Sequence, residues 1–370
     1  MKARFTHLII FIWTVLAFSA CTDSIEIPDE PEESVAIIYW MGDNNLTSWA
    51  EDDIAELVKG KDNIPANSRI VIYVDKASSK PAVYQLDAKN GLKLWKQFKE
   101  EQDCTDSLTL LTNLRDIIQN FPARKYGLTF GAHGSGMVIK QRRALGPDNS
   151  PSINYLNIPT LKGVLEQLPH LSYIFFDVCF MQSIEVAYEL RTATRFLLGS
   201  TCEIMDYGLP YTLVFNDLIG ETPDYEAFMQ KFYNFYSSYR IPSGTFSAID
   251  CKQIEATAEL MRTINANFQL SDDSLNVLQY YDGFSPKMFY DMGDYVAKLC
   301  TEASFNTQMQ KQLKKLVPYK AATSAFYSKY TGSMSPIKTY SGITISDPSR
   351  NNKAKGKTKT SWWKATHEAN

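Results

Sequence analysis

The chain has 370 residues, 44% of them hydrophobic and 21% charged, so it can bury a core and is neither disordered nor low-complexity. A formal charge of -3 gives no basic footprint for nucleic acid. Six cysteines and four histidines, none in C-x-x-C or H-x-x-x-H spacing, argue against a structural zinc module.

Residues 1–20 read as a signal peptide. Lys2 and Arg4 precede an apolar run from Leu8 to Phe18, broken only by Thr14, and Ser19 and Ala20 lead to Cys21. The run is short for a bilayer span, though a plain signal anchor is the other reading. Residues 21–34 carry Asp23, Glu26, Asp29, Glu30, Glu32 and Glu33 with Pro28 and Pro31, and are expected to be a solvated acidic tether. Beyond Cys21 five cysteines remain, so at least one thiol of an exported chain stays free.

From Val35 onward, short apolar runs alternate with amphipathic segments. Val35 to Trp40, Ile70 to Val74, Tyr126 to Phe130, Tyr173 to Val178 and Phe196 to Leu198 read as buried strands. Leu46 to Val58, Ser107 to Gln119, Ile158 to Leu168 and Met181 to Arg191 have helical periodicity. Val83 to Leu86 and Leu92 to Trp95, joined around Asn90-Gly91, read as a hairpin. The alternation predicts an α/β sandwich with a mostly parallel central sheet and helices on both faces. Further on, Tyr225 to Tyr239, Lys252 to Phe268, Asp291 to Leu299 and Gln308 to Val317 read as helices, and Thr245 to Ile249 as a strand. Lys320 to Tyr327 and Tyr340 to Ile345 are candidates to close the sheet. A main domain over 35–350 and a basic surface loop and tail over 351–370 complete the expected organisation.

Two strand ends carry the chemistry. One strand runs into Gly131-Ala132-His133-Gly134-Ser135-Gly136, the other into Asp177-Val178-Cys179 and a helix. Ligands bind at the carboxyl ends of strands in open parallel sheets, which puts both groups on one edge. An imidazole or a helix amino terminus favours the thiolate of a nearby cysteine, and Cys179 has a prospect of both. The amides of Gly134 and Cys179 are candidates for an oxyanion hole. His7 lies in the leader, His367 in the polar tail and His170 at an exposed Pro-His corner, which leaves His133 as the candidate base. The alternative for Cys179 is a buried structural cysteine. Cys104, Cys202, Cys251 and Cys300 read as core or surface thiols.

Three segments together resemble the clostripain-like cysteine peptidases. They are Tyr39-Trp40-Met41-Gly42-Asp43-Asn44-Asn45-Leu46, the histidine turn from Phe130 to Gly136, and Phe176-Asp177-Val178-Cys179-Phe180-Met181 on to Glu185. Gly199-Ser200-Thr201-Cys202-Glu203 followed by Gly208-Leu209-Pro210-Tyr211 is also similar to that family. The resemblance implies a caspase-like αβα sandwich, as in gingipains, legumains and separases. It also implies a dyad of His133 as acid/base and Cys179 as nucleophile, and cleavage after basic residues. Asp177 matches the position lining the primary specificity pocket, with Glu203 and Asp206 as weaker candidates; an ordinary strand-end cap is the other reading of Asp177. Such proteases often mature by their own cleavage, and Arg143, opening the polar 140–157 stretch, is the candidate site, with a solvated basic loop as the alternative. Some members need calcium, but there is no D-x-D-x-D-G loop, so metal and cofactor stay unassigned.

The small residues ending at Cys21 resemble the lipobox of bacterial lipoproteins, with Phe18 where leucine is usual. This implies lipidation at Cys21 and an exported, monomeric cell-envelope protein, of the outer membrane, acting on basic peptides. An ordinary mature-region cysteine is the alternative. Two rival functions remain at this point: an inactive surface lipoprotein binding peptides or glycans on the same fold, and a different thiol hydrolase or transpeptidase.

Overall fold

A computed structural model describes residues 31–77, 79–137, 144–149, 152–347, 351 and 354–367. The leader, the lipidation candidate Cys21 and the processing candidate Arg143 lie outside the described residues. The first half runs β1 (Glu32–Gly42), α1 (Thr47–Lys59), β2 (Ser68–Lys76), β3 (Ser79–Asp87), β4 (Gly91–Gln97), α2 (Ser107–Asn120), β5 (Ala123–Gly131), β6 (Leu145–Asp148), β7 (Asn154–Leu156), α3 (Ile158–Leu165), β8 (Leu171–Asp177), α4 (Ile184–Leu190) and β9 (Thr194–Gly199). The second runs α5 (Tyr211–Val214), α6 (Tyr225–Ser237), β10 (Thr245–Asp250), α7 (Ile254–Asn267), α8 (Asp272–Val277), β11 (Phe289–Asp291), α9 (Met292–Leu299), α10 (Ala303–Leu316), β12 (Tyr319–Ala322), β13 (Ala325–Ser328), β14 (Ser333–Pro336), β15 (Thr344–Ser346) and α11 (Ser361–His367).

Nine strands form one sheet in the order β12-β10-β9-β8-β5-β1-β2-β3-β4. The inner strands β9, β8, β5, β1 and β2 are parallel, and antiparallel strands flank them on both sides. Side chains of β1 alternate between two cores. Val35, Ile37, Tyr39 and Met41 pack with residues of α2, α3, α4, α7, α9 and α10, while Ala36, Ile38 and Trp40 pack with residues of α1, α5 and α6. Burial on both faces is why these strands read as continuous apolar runs. The expected sandwich is the observed one.

Several boundaries differ from the expectation. The acidic tether was expected to reach residue 34, but β1 already begins at Glu32. Glu32 pairs with Arg69 at 2.8 Å, Glu33 lies 3.6 Å from Lys125, and buried Ser34 donates to Ser68. Of the two late segments expected to close the sheet, only β12 joins it, antiparallel to β10. Ala325–Ser328 instead pairs with β14, and Thr344–Ser346 with β11.

The carboxyl-terminal stretch corrects the expectation of a surface loop. Lys357 is buried, its ammonium reaching the Ser346 carbonyl and lying over the Tyr295 and Trp363 rings. Burial lowers its pKa, and Glu185 and Asp347 oppose that shift. Trp362 of α11 is 1% exposed and meets Tyr188 of α4 edge-on. Trp362→Ala therefore opens a cavity between α11 and the body, a loss of about 3–5 kcal/mol for a large aromatic. The indole nitrogen has no hydrogen-bond partner, so the change also removes a buried unsatisfied donor, and the low end, about 3 kcal/mol, is expected in urea unfolding.

Candidate active site

The register brings the sequence candidates together. In the parallel pairing of β5 and β8, Gly131 lies opposite Asp177, and Trp40 of β1 lies opposite Gly131. His133 and Cys179 each follow two residues later, so both turns leave the same edge of the sheet. A Cβ on Gly131 would overlap the Trp40 ring. A Cβ on Gly134 would fall 2.0 Å from Val178 Cγ1 and 3.1 Å from the Cys179 carbonyl oxygen. Glycine is thus required for the histidine turn to lie against the cysteine turn. Gly134→Ala is expected to push these turns apart by about 1 Å and to lower kcat/KM about 100-fold with the fold retained, as read by peptide turnover beside circular dichroism.

His133 is half-buried, and its Nε2 lies 2.8 Å from Asn45 Oδ1 on the turn after β1. With an amide oxygen as partner, Nε2 carries the hydrogen and Nδ1 the lone pair. Burial, then the charge of Lys329, lowers the imidazole below its ordinary pKa, so it is neutral at pH 7. Asn45 belongs to the Asp43-Asn44-Asn45 segment, but no spacing argument linked it to the histidine. His170, set aside from sequence, is exposed.

Among the described residues Cys179 is one of five free cysteines, partly exposed where the other four are buried. Its Sγ accepts from the Ile204 amide at 3.3 Å. Burial pushes the thiol up to about 12; the Ile204 amide acts the other way, and Glu203, Cys202 and Asp177 add to the rise. This corrects the expected thiolate. The following helix starts at Ile184, capped by Ser183, rather than near Met181, so Cys179 sits five residues ahead of the first helical residue. The intervening turn places Phe180 at φ 63°, a left-handed conformation that a bulky side chain adopts only when its surroundings hold it. Stacking of Phe180 on Phe289 supplies that support. The bridge between Gly134 and Leu145 is flanked by bonds from Gly146 N to His133 O and from Ser135 N to Ala144 O, and these bonds do not use the Gly134 amide.

Two buried carboxyl groups, Asp177 and Asp53, act on each other at this strand end. Asp177 is buried and accepts 2.9 Å from the Tyr211 hydroxyl. Burial raises it to about 6, against the Tyr211 and Leu209 bonds. Asp53 of α1 is 4% exposed, and burial followed by the Asp177 charge, then Glu56 and Asp52, pushes it up to about 10. The segment carrying Tyr211 also grips α1, with the Tyr207 hydroxyl on Glu56 and Thr212 Oγ1 on the Glu56 carbonyl. No Lys or Arg among the described residues forms an ion pair with Asp53 or Asp177. Glu203 and Asp206 are placed differently. Both Glu203 oxygens accept from the Lys329 amide at 3.2 Å, and exposed Asp206 pairs with Arg240 at 3.4 Å.

A thiol and an imidazole thus follow adjacent strands of a mostly parallel sheet, and the family match makes the chain a cysteine-type peptidase. The chain belongs to the clostripain family, whose sequence model matches residues 38–354. Among solved structures it is 34% identical to iotapain, a secreted C11 cysteine protease from Bacteroides thetaiotaomicron, with a TM-score of 0.85 over 91% of this chain and 100% of that one. An inactive zymogen C11 protease from Parabacteroides distasonis is 25% identical, with a TM-score of 0.80 over 92% of this chain and 99% of that one. A clostripain from Bacteroides thetaiotaomicron in complex with the peptide inhibitor BTN-VLTK-AOMK is 40% identical, covering 61% of this chain and 100% of that one, with a TM-score of 0.58. No curated protein matches the chain.

Proposed function

We propose that this cysteine peptidase is an endopeptidase cutting after Arg or Lys through a His133–Cys179 dyad. The observation carrying the specificity is the pair of Asp177, two residues ahead of the thiol, and Asp53, two buried carboxyl groups that act on each other and have no ion-pair partner among the described residues. A buried carboxylate pair is stable once a cation enters, and the side chain ahead of the scissile bond supplies that cation. The related clostripain bound to an inhibitor reading VLTK, which ends in lysine, supports the same sign.

The chemistry starts from neutral partners. His133 takes the Sγ proton as sulfur attacks the scissile carbonyl, and the amides of Gly134 and Cys179 hold the oxyanion. His133 then gives the proton to the leaving amine, and water hydrolyses the thioester with the same imidazole as base. Asn45 is a positioning residue in this scheme. Asn45→Ala is expected to lower kcat about 10-fold with KM little changed, and Asn45→Asp to raise the acid limb of the kcat profile by stabilising the imidazolium.

Export, lipidation at Cys21 and self-cleavage after Arg143 complete the reading. The secreted character of iotapain supports export, and the zymogen relative supports activation by cleavage. Ala144, directly after Arg143, accepts from Ser135 in the histidine turn, so the residue following the cut docks beside the dyad. The test is turnover of fluorogenic peptides ending in Arg, Lys, Asp or Leu by purified protein. Hydrolysis of the basic members alone supports the reading, and equal hydrolysis of the Leu member overturns it.

A further inference from the structure

A second polar cluster contains neither the dyad residues nor Asp177 and Asp53. Asp75 near the end of β2, Cys104 ahead of α2 and Asp148 at the end of β6 are each 0% exposed. One donor atom from each lies within 4.8 Å of the other two. Both Asp75 oxygens are buried with no N–H or O–H donor among the described residues, and the weak donor beside them is the Cys104 thiol. Asp43 Oδ2 and Glu101 Oε1 are buried and unpartnered too, and both carboxyl groups act electrostatically on Asp75. Among the described residues, Lys76 pairs with Glu51 at 2.6 Å, and Lys80 lies 3.8 Å from the other Glu101 oxygen rather than at Asp75. Buried carboxylates left without donors are strongly unfavourable, and proteins relieve them by protonation, by pairing or by metal coordination.

We propose that Asp75, Cys104 and Asp148 bind a divalent transition-metal ion of the zinc class. Thiolate and carboxylate donors at about 2.0–2.3 Å are a zinc-type set, whereas calcium and magnesium take oxygen alone. Asp148 Oδ2 accepts the Cys104 amide at 2.5 Å, which fixes two of the ligand segments relative to each other. Binding replaces the thiol proton, and any proton on the carboxyls, with metal bonds, and releases the protons to solvent.

The three ligands come from β2, the lead into α2, and β6, the strand that follows Arg143. Around them, Asn149 donates its amide and its side-chain nitrogen to the Asp43 carbonyl, and Asn44 donates to the Pro147 carbonyl at 2.7 Å. Asn45 of the same turn holds His133. A bound ion therefore clamps the strand after the processing loop to the turn that orients the imidazole.

The test uses purified Cys179→Ala protein, so that the active-site thiol cannot bind metal, stripped with chelator and titrated with Zn2+, Co2+ or Ca2+ separately. Expected are one Zn2+ or Co2+ per chain, a rise in Tm, and a thiolate-to-cobalt absorption in the near ultraviolet. In the Cys104→Ser background that absorption should vanish, and in the isosteric Asp75→Asn background affinity should fall by at least ~100-fold. Circular dichroism establishes that both variants are folded. Absence of stoichiometric binding, binding of Ca2+ alone, or a cobalt band that survives Cys104→Ser overturns the proposal.

Discussion

Cys179→Ala is expected to remove turnover of basic peptides by roughly 10⁴-fold or more, leaving stability nearly unchanged. The thiol has one good hydrogen bond, from the Ile204 amide, and its loss frees a donor at a partly open position. His133→Ala should match it in size, because a thiol pushed up to about 12 supplies almost no thiolate at neutral pH without a base. Non-additivity is the diagnostic. If the two act as one unit, the double variant is no worse than either single one. A thiolate formed independently of His133 would instead leave His133→Ala substantially active, and that result would refute the neutral dyad. The pH profile carries the same information. Because burial and Lys329 lower the imidazole pKa, the base is neutral above that lowered value and activity rises through it from the acid side.

How much of this was legible in the sequence depends on the range of the contacts involved. The inner strands announced themselves because both faces of β1, β5 and β8 are covered, which leaves runs such as Val35 to Trp40 apolar throughout. The pairing of His133 with Cys179 was legible for a related reason: both follow strands of a parallel sheet, whose carboxyl ends share an edge. What stayed hidden depends on residues distant in the chain. Asp53 sits among Glu51, Asp52 and Glu56 and reads as one more solvated carboxylate of α1; only the segment around Tyr211, reached through Asp177 and Glu56, encloses it. Glu32 looks like tether until Arg69 is brought beside it. Met181 matches helical periodicity, yet Phe180 just before it turns left-handed and stacks on Phe289, and α4 starts only at Ile184. Lys357 reads as surface charge because Glu185 and Asp347, its compensating neighbours, belong to other elements.

Asp177→Asn is expected to lower kcat/KM for Arg and Lys peptides by about 100- to 1000-fold, with the loss mostly in KM, while the Tyr211 hydroxyl keeps a side-chain oxygen to bond. The pH dependence has a definite sign. Asp177 is raised to about 6, so it is ionised at pH 7, the form that would pair with a basic side chain; below pH 6 it protonates, and KM for basic peptides is expected to rise. Asp53 behaves differently, because burial and then the Asp177 charge hold it up to about 10 and it keeps its proton at pH 7. Entry of a guanidinium or ammonium reverses that balance, and Asp53 ionises as the cation arrives. Binding of a basic peptide inhibitor at pH 7 should therefore release about one proton in the wild type and close to none in Asp53→Asn, as read by calorimetry in buffers of different ionisation enthalpy. Asp53→Asn should also weaken binding by about 10-fold, as read in the same titration. If the released proton persists in Asp53→Asn, the second carboxyl is a structural residue of α1 and the pocket rests on Asp177 alone.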